Sequence, residues 1–231
     1  MSEAGAFKGF SRQTVKFFKD LADHNNRAWF EANRDLYESQ VMAPARAYIE
    51  AMGARLKRDV PRIVAVPKVN KSIFKIHRDT RFSTDPAPYK TNLGLYFWEG
   101  PRPRLETAGF YFHLEPPDMM LGGGMYMIPE GMLEKFRRAV VHPKLGRELT
   151  AVVKDLTGHG YKANGRHYKR VPPGYDAAHP NAAFLLHNGL YTGWEGKIPP
   201  EFYSPDFIDF SCAKFAPIIP LHRWLMKAMV L

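Results

Sequence analysis

The sequence predicts an α+β fold: an antiparallel β-meander of four or more strands packed against N-terminal and C-terminal helices. Three observations predict it. The first sixty residues repeat apolar side chains at helical spacing. The middle of the chain is a series of short apolar runs separated by Pro/Gly breaks, and such short connections favour antiparallel neighbours. The remainder returns to helical patterning with a second, smaller β segment. With 231 residues and no internal repeat, low-complexity tract or long linker, the chain reads as one domain over 1–231.

The elements follow in order. Ser11 caps a helix running to about His24, with Val15, Phe17, Phe18 and Leu21 on one face. Asn25 or Asn26 caps the next, which carries Trp29, Phe30 and Leu36 and runs to about Tyr37. Pro44 suits the first turn of a third helix, through about Lys57, where Ala45, Tyr48, Ile49, Met52 and Leu56 recur. Strands are expected over 72–82, 92–99, 108–116 and 119–129. Pro129 opens a helix with Met132, Leu133 and Phe136 inward, and another spans 144–158, ended by Gly158. Residues 160–172 read as a hairpin turning at Asn164-Gly165, 181–189 as a short helix and 190–199 as a strand. From about Ser204 the pattern is helical, interrupted by Pro217 and Pro220.

Charge is the distinguishing feature of the composition. The net charge is +10, and residues 59–104 hold half of it, with nine Lys/Arg against four Asp/Glu. Such a field favours an anionic partner: phosphate, nucleotide, nucleic acid or carboxylate. The start, MSEAGAFKGF, has no basic end followed by an apolar stretch, so no signal peptide is read there. No run approaches the roughly 18 apolar residues of a membrane helix, and a cytoplasmic protein without a membrane partner is expected. The single cysteine, Cys212, excludes an intramolecular disulfide and reads as a small buried hydrophobe.

The charge concentrates in KIHRDTRFSTDPAPYK, Lys75 to Lys90. Read as a strand, Ile73, Lys75, His77, Asp79 and Arg81 share one face, and Phe74, Ile76, Arg78, Thr80 and Phe82 the other. A guanidinium among apolar side chains needs a partner, so Arg78 must meet a carboxylate, several carbonyls or a ligand anion. Asp79, its neighbour, points the opposite way and pairs with Arg81 or orients it toward a substrate. The prolines stiffen the loop that follows, and Arg and Lys flank it as an anion clamp. In this reading Arg78, Arg81 and Lys90 hold the anion, Asp79 orients an arginine or acts as a general base, and Tyr89 donates a hydrogen bond. Asn33 and Arg34, on the second helix, join the charged strand if they face it. The competing reading is a salt-bridge network that pins helices to sheet.

At these residues the chain resembles the bacterial DUF2461 proteins, whose recurrent signature looks like Arg-x-x-Arg-Asp-x-Arg-Phe, then Asp/Asn-Lys, then Tyr. Arg78, Asp79, Arg81 and Phe82 match as they stand, and Lys75 occupies the first Arg position. Asp85 and Tyr89 match the later part, but Pro86 replaces the Lys and removes one positive group. NNRAWFEANRDLY, YKTNLGLYF and KRVPPGYDAAHP are also similar, so the resemblance spans nearly the whole chain. It implies a single domain with a shared polar centre. It supplies no reaction and no cofactor.

Other constellations carry less. LGGGM at 121–125 lacks the Lys-Ser/Thr of a phosphate loop and fits close backbone packing in a strand. His113 and Glu115 share a strand face, but no further ligand completes a metal site. The segment Arg166, His167, Lys169 and Arg170 reads as a basic hairpin edge. The basic, aromatic-rich composition also fits a nucleic-acid-binding module using the charged strand and this hairpin, without an RNP or zinc-finger signature. The expected function is therefore an enzyme or binder for a small phosphate- or carboxylate-bearing molecule, without a cofactor or metal. Nucleic-acid binding and a non-catalytic scaffold are the alternatives, and the oligomeric state is not set.

Overall fold

Ser11 takes the role its position implies. In the computed structural model, which describes residues 6–81 and 84–230, its hydroxyl accepts from the Thr14 amide, and the Thr14 hydroxyl accepts from the Ser11 amide. This reciprocal cap starts α1 (Arg12–Asp23), whose Phe17, Phe18 and Leu21 are buried. Asn26, not Asn25, caps α2 (Arg27–Ala32), accepting from the Trp29 amide at 3.0 Å. The expected continuation breaks at Asn33 and resumes as α3 (Arg34–Tyr37). A π turn, Glu38–Met42, then runs directly into α4 (Ala43–Leu56). Pro44 explains the wide turn: it has no N–H to give back to Gln40. The Thr14 hydroxyl donates to that carbonyl at 2.5 Å, and the Ser11 hydroxyl donates to the Gln40 side chain at 2.9 Å.

One sheet runs in the order β1 (Ile63–Val64), β2 (Leu93–Glu99), β3 (Gly109–Glu115), β4 (Asp118–Met125), β6 (His187–Lys197), β5 (Asn164–Arg166). It is antiparallel, with N- and C-terminal helices flanking it, so the α+β class and the meander β2–β3–β4 stand as expected. Between β4 and β5 lie α5 (Glu130–Val141) and α6 (Leu145–Gly158). The chain ends on α7 (Phe207–Phe215) and α8 (Ile219–Ala228), with Pro217 and Pro220 placed in first turns. Short 3-10 turns occupy Ala182–Leu186 and Pro200–Tyr203. No helix of the described residues is long and apolar enough to cross a membrane.

Two local expectations are corrected. The strand expected over 72–82 shrinks to isolated bridges, Ile73 with Leu95 and His77 with Tyr89. The Arg78 amide donates to the Pro88 carbonyl and the Lys90 amide to the Ile76 carbonyl, but Pro86 and Pro88 have no N–H with which to extend the ladder. Phe82 lies outside the described residues. Asn164-Gly165 is not a hairpin turn: it belongs to β5, which pairs with β6 through Asn164 opposite Tyr191 and Arg166 opposite His187. The glycine serves close approach, because a Cβ on Gly165 would lie 2.1 Å from the Gly189 carbonyl oxygen. The two-residue strand β1 carried no alternating pattern and was not expected.

The chain divides into two compact units. The first comprises Met1–Phe97, Tyr111–Leu121 and Glu195–Cys212. Its core centres on Phe10, stacked between Phe202 (4.8 Å) and Phe112 (5.7 Å), and on Tyr48, fully buried, whose hydroxyl donates to Ser211 at 2.9 Å. The second comprises Trp98–Phe110, Gly122–Trp194 and Ala213–Leu231. Here the expected close packing of the glycine run is seen. A Cβ on Gly124 would lie 2.3 Å from the Leu190 carbonyl oxygen, so β4 admits the β6 backbone only because these positions carry no side chain. Asn181, buried, donates to the Val140 and Gly146 carbonyls and accepts from Thr150, closing the α5–α6 corner. Trp224 donates its indole N–H to the Leu145 carbonyl at 2.8 Å.

His222 of the second unit is fully buried, with its ring stacked on Phe110 at 5.0 Å. Its Nε2 lies 2.8 Å from the Glu99 carboxylate, while Nδ1 is buried without a hydrogen-bond partner. The ring is therefore held neutral with its proton on Nε2, since protonation would add a buried donor with nothing to meet. Burial pushes its pKa below the ordinary 6.5, against the opposing pull of Glu99. A depressed histidine pKa means that the unfolded chain binds the proton first, so stability is lost as pH falls below about 6.5. Unfolding measured at about pH 8 and about pH 5.5 should show wild type losing more than His222→Gln, by at most about 1.4 kcal/mol per pH unit in that window. Equal losses would show that His222 is not the acid-sensitive group.

Candidate functional site

The segment 75–90 is built on one side-chain amide. Asn25 donates from Nδ2 to the Tyr89 carbonyl at 2.9 Å, and its Oδ1 accepts from the Tyr89 amide at 3.0 Å. Asparagine thus supplies both hydrogen bonds that a neighbouring strand would have given. It fixes Tyr89 against the turn between α1 and α2. Tyr89 is 3% exposed, with its ring stacked on Phe30 at 4.2 Å and next to His77 at 5.1 Å.

Each expected site residue has a defined place. Arg78 pairs with the Asp85 carboxylate and donates to the Ala87 carbonyl at 3.2 Å, closing the proline loop on itself. Its carboxylate is Asp85, seven residues on, reached because the proline loop folds back and not through strand parity. The Ala87 amide and then Arg78 hold the Asp85 carboxyl below its usual range. Arg81 and Asp79 form a two-point ion pair, Nε to Oδ1 at 2.9 Å and Nη2 to Oδ2 at 2.7 Å. Those bonds, with one from the Arg81 amide, hold the Asp79 carboxyl low. A carboxylate held in that way is a weak proton acceptor at neutral pH, so its geometry suits orienting Arg81 better than general-base work.

Lys90 places its ammonium 5.8 Å from the centre of the Phe74 ring. Arg34 forks onto Glu31 with bonds of 2.7–3.0 Å and lies over the Phe30 ring at 6.0 Å. Through Phe30 it is one ring removed from Tyr89. Asn33 turns back to the Trp29 carbonyl and does not join the charged segment in these contacts. Cys212 is half-buried, and burial pushes its thiol pKa up, which disfavours the thiolate of a reactive cysteine.

A second constellation lies in the same unit. β3 alternates, burying Phe110, Phe112 and Leu114 on one face and turning Tyr111, His113 and Glu115 to the other. The Tyr111 hydroxyl is 2.9 Å from His113 Nδ1, and His113 Nε2 is 3.3 Å from Glu115 Oε2. The Thr91 hydroxyl donates to the other carboxylate oxygen at 3.2 Å. A carboxylate only accepts, so Nε2 carries the ring proton and Nδ1 accepts from the phenol. Burial first, and the Glu115 charge second, push the Tyr111 pKa up to about 12. Tyr111 packs edge-on to the same Phe74 ring that Lys90 covers. Glu115 and Thr91 also line a cleft of about 400 Å³ with Lys19, Asp23 and Pro116. Sequence reasoning weighed His113 and Glu115 only as metal ligands and missed Tyr111, although spacing by two along one strand face was the available signal. Among the described residues no group of three His, Cys, Asp or Glu is placed to hold a metal ion.

The family model described as a conserved hypothetical protein (DUF2461) matches residues 13–224. No curated protein matches the chain.

The Asn25 clamp generates a direct expectation. Asn25→Ala removes both bonds to a buried backbone and should cost about 1–3 kcal/mol. Urea unfolding measures this, and limited proteolysis should show faster nicking within 79–88. An unchanged midpoint and cleavage pattern would show that aromatic stacking alone holds the segment.

Proposed function

Because the chain belongs to the DUF2461 family, whose description names no activity, we propose from the geometry of segment 75–90 that the protein binds a small phosphate- or carboxylate-bearing molecule there. One observation carries the reading. The Arg81 side chain is 77% exposed, yet Asp79 fixes its orientation through two bonds. Exposed ion pairs also hold other arginines of this chain, Arg34 on Glu31 among them, but here the pair pre-orders a guanidinium inside the charged segment. One ordered before the ligand arrives loses less on binding. Guanidinium is the group of choice for planar, two-point recognition of carboxylate or phosphate.

In this reading Arg81 binds, Asp79 orients it and Lys90 adds the second positive charge. Tyr89, expected to donate a hydrogen bond to the anion, is only 3% exposed and in this reading anchors the backbone instead. Arg78 keeps the loop closed through Asp85 and Ala87. Pro86, where the resemblance implies a lysine, stiffens the loop between these groups.

Thermal unfolding of wild type and Arg81→Ala, against nucleotides, sugar phosphates, carboxylates and short single-stranded DNA, tests the proposal. A phosphate or carboxylate compound should raise the wild-type midpoint, by the equivalent of about 2.7 kcal/mol at a hundred times its Kd. The folded variant should lose that shift. A shift given by DNA alone, falling steeply with salt, would replace this reading with nucleic-acid binding. No shift with any compound, together with an Arg81→Ala protein of markedly lower stability, would make the charges architectural.

A further inference from the structure

We propose that Tyr111, His113 and Glu115 form a nucleophile–base–orienter triad that accepts an acyl group from a carboxylic ester. The inference is independent of the anion site on segment 75–90. It rests on three contacts already described: phenol to Nδ1 at 2.9 Å, Nε2 to carboxylate at 3.3 Å, and the Thr91 hydroxyl on the remaining carboxylate oxygen at 3.2 Å. That order is the general signature of an activated oxygen nucleophile: a weakly acidic O–H against a base, and the base held in one tautomer by a third group. Neighbours of alternate parity on β3 are core side chains, so the strand itself holds the three groups in line.

The residue types divide the work. The phenol of Tyr111, with its pKa pushed up to about 12, remains protonated at neutral pH, so its reactivity depends on a coupled base. As Tyr111 Oη bonds to the acyl carbon, its proton passes to His113 Nδ1. The carbonyl electron pair moves onto oxygen and returns when the ester C–O bond breaks. The departing alcohol takes the proton from Nδ1, or leaves as an anion if it is a good leaving group, and Nδ1 then gives its proton to water. Glu115 balances the transient imidazolium through Nε2. Water, deprotonated by the same Nδ1, then cleaves the acyl–tyrosine and restores the phenol, so no other reactant is needed. The Glu115 carboxylate at the end of the chain disfavours a dianionic phosphoryl group and leaves a neutral ester as the fitting electrophile. The cleft that Glu115 and Thr91 line with Lys19 and Asp23 gives this end of the triad access to solvent.

The probe is p-nitrophenyl acetate on the full chain. The expected result is a stoichiometric burst of p-nitrophenolate, with peptide mass spectrometry placing the acetyl group on Tyr111. Tyr111→Phe, which keeps the ring against Phe74, should abolish the burst while the protein stays folded, with the midpoint lowered only by the one lost hydrogen bond. His113→Ala should slow it by about 10²–10⁴-fold, and added imidazole should restore part of the rate. Glu115→Gln should slow the burst and Glu115→Asp recover part of it, a pattern that a purely structural role would not give. No burst, acetylation confined to lysines or to His113, a burst surviving in Tyr111→Phe, or a His113→Ala protein that imidazole cannot rescue would each overturn the triad.

Discussion

The side-chain amide of Asn25 stands where a β-strand would otherwise be needed. The segment around the buried Tyr89 carries Pro86 and Pro88 and cannot complete a ladder with its partner stretch at 76–78. Unpaired backbone groups there would be expensive. Asparagine alone among short side chains carries a donor and an acceptor spaced to serve one residue's N–H and C=O together, and both are used. The rest of the charged segment inherits its position from this contact. Tyr89 locates Phe30 by stacking and His77 by a tilted ring contact, the bridge from His77 to Tyr89 locates residues 76–78, and Arg78 then closes the loop onto Asp85.

A second theme is the use of proline and glycine to hand hydrogen bonds to side chains. Pro44 releases the Gln40 carbonyl, and Thr14 takes it. In the second unit, glycines at 124 and 165 let backbones approach to distances that any Cβ would forbid. Asn181 then does for the α5–α6 corner what Asn25 does for the charged segment, with three bonds from one buried side chain. Polar side chains, and not only the aromatic cores, therefore decide where the irregular segments lie.

The sequence was legible where periodicity was strong. α1, α4, α5 and α6 and the meander strands β2, β3 and β4 follow from spacing and from Ser11, Pro44, Pro129 and Gly158. It misled where one residue had two physical uses. Asn164-Gly165 signals a turn when read locally, but a distant backbone, that of Gly189, requires the glycine. The alternation over 72–82 looked like a strand because the prolines that prevent its pairing come later in the chain. The Arg78–Asp85 and Asp79–Arg81 pairs were half legible: the need for partners followed from charge and strand parity, whereas the choice of Asp85 depended on how the proline loop folds back. Tyr111 was hidden because a tyrosine in an aromatic strand reads as core until its hydroxyl is seen against His113.

The two edges of the sheet, β1 and β5, are only two and three residues long. An open edge is a template: its unpaired amides and carbonyls recruit any extended chain, and long flat edges seed fibres. Here the template is too short to hold a register, and Arg166 marks one end of it with charge. A chain with 13% aromatic residues and several strongly apolar strands would otherwise be a candidate for runaway edge-to-edge growth. Brevity at the margins lets the central strands be as apolar as their core demands without making the folded molecule a nucleus for its own polymerisation.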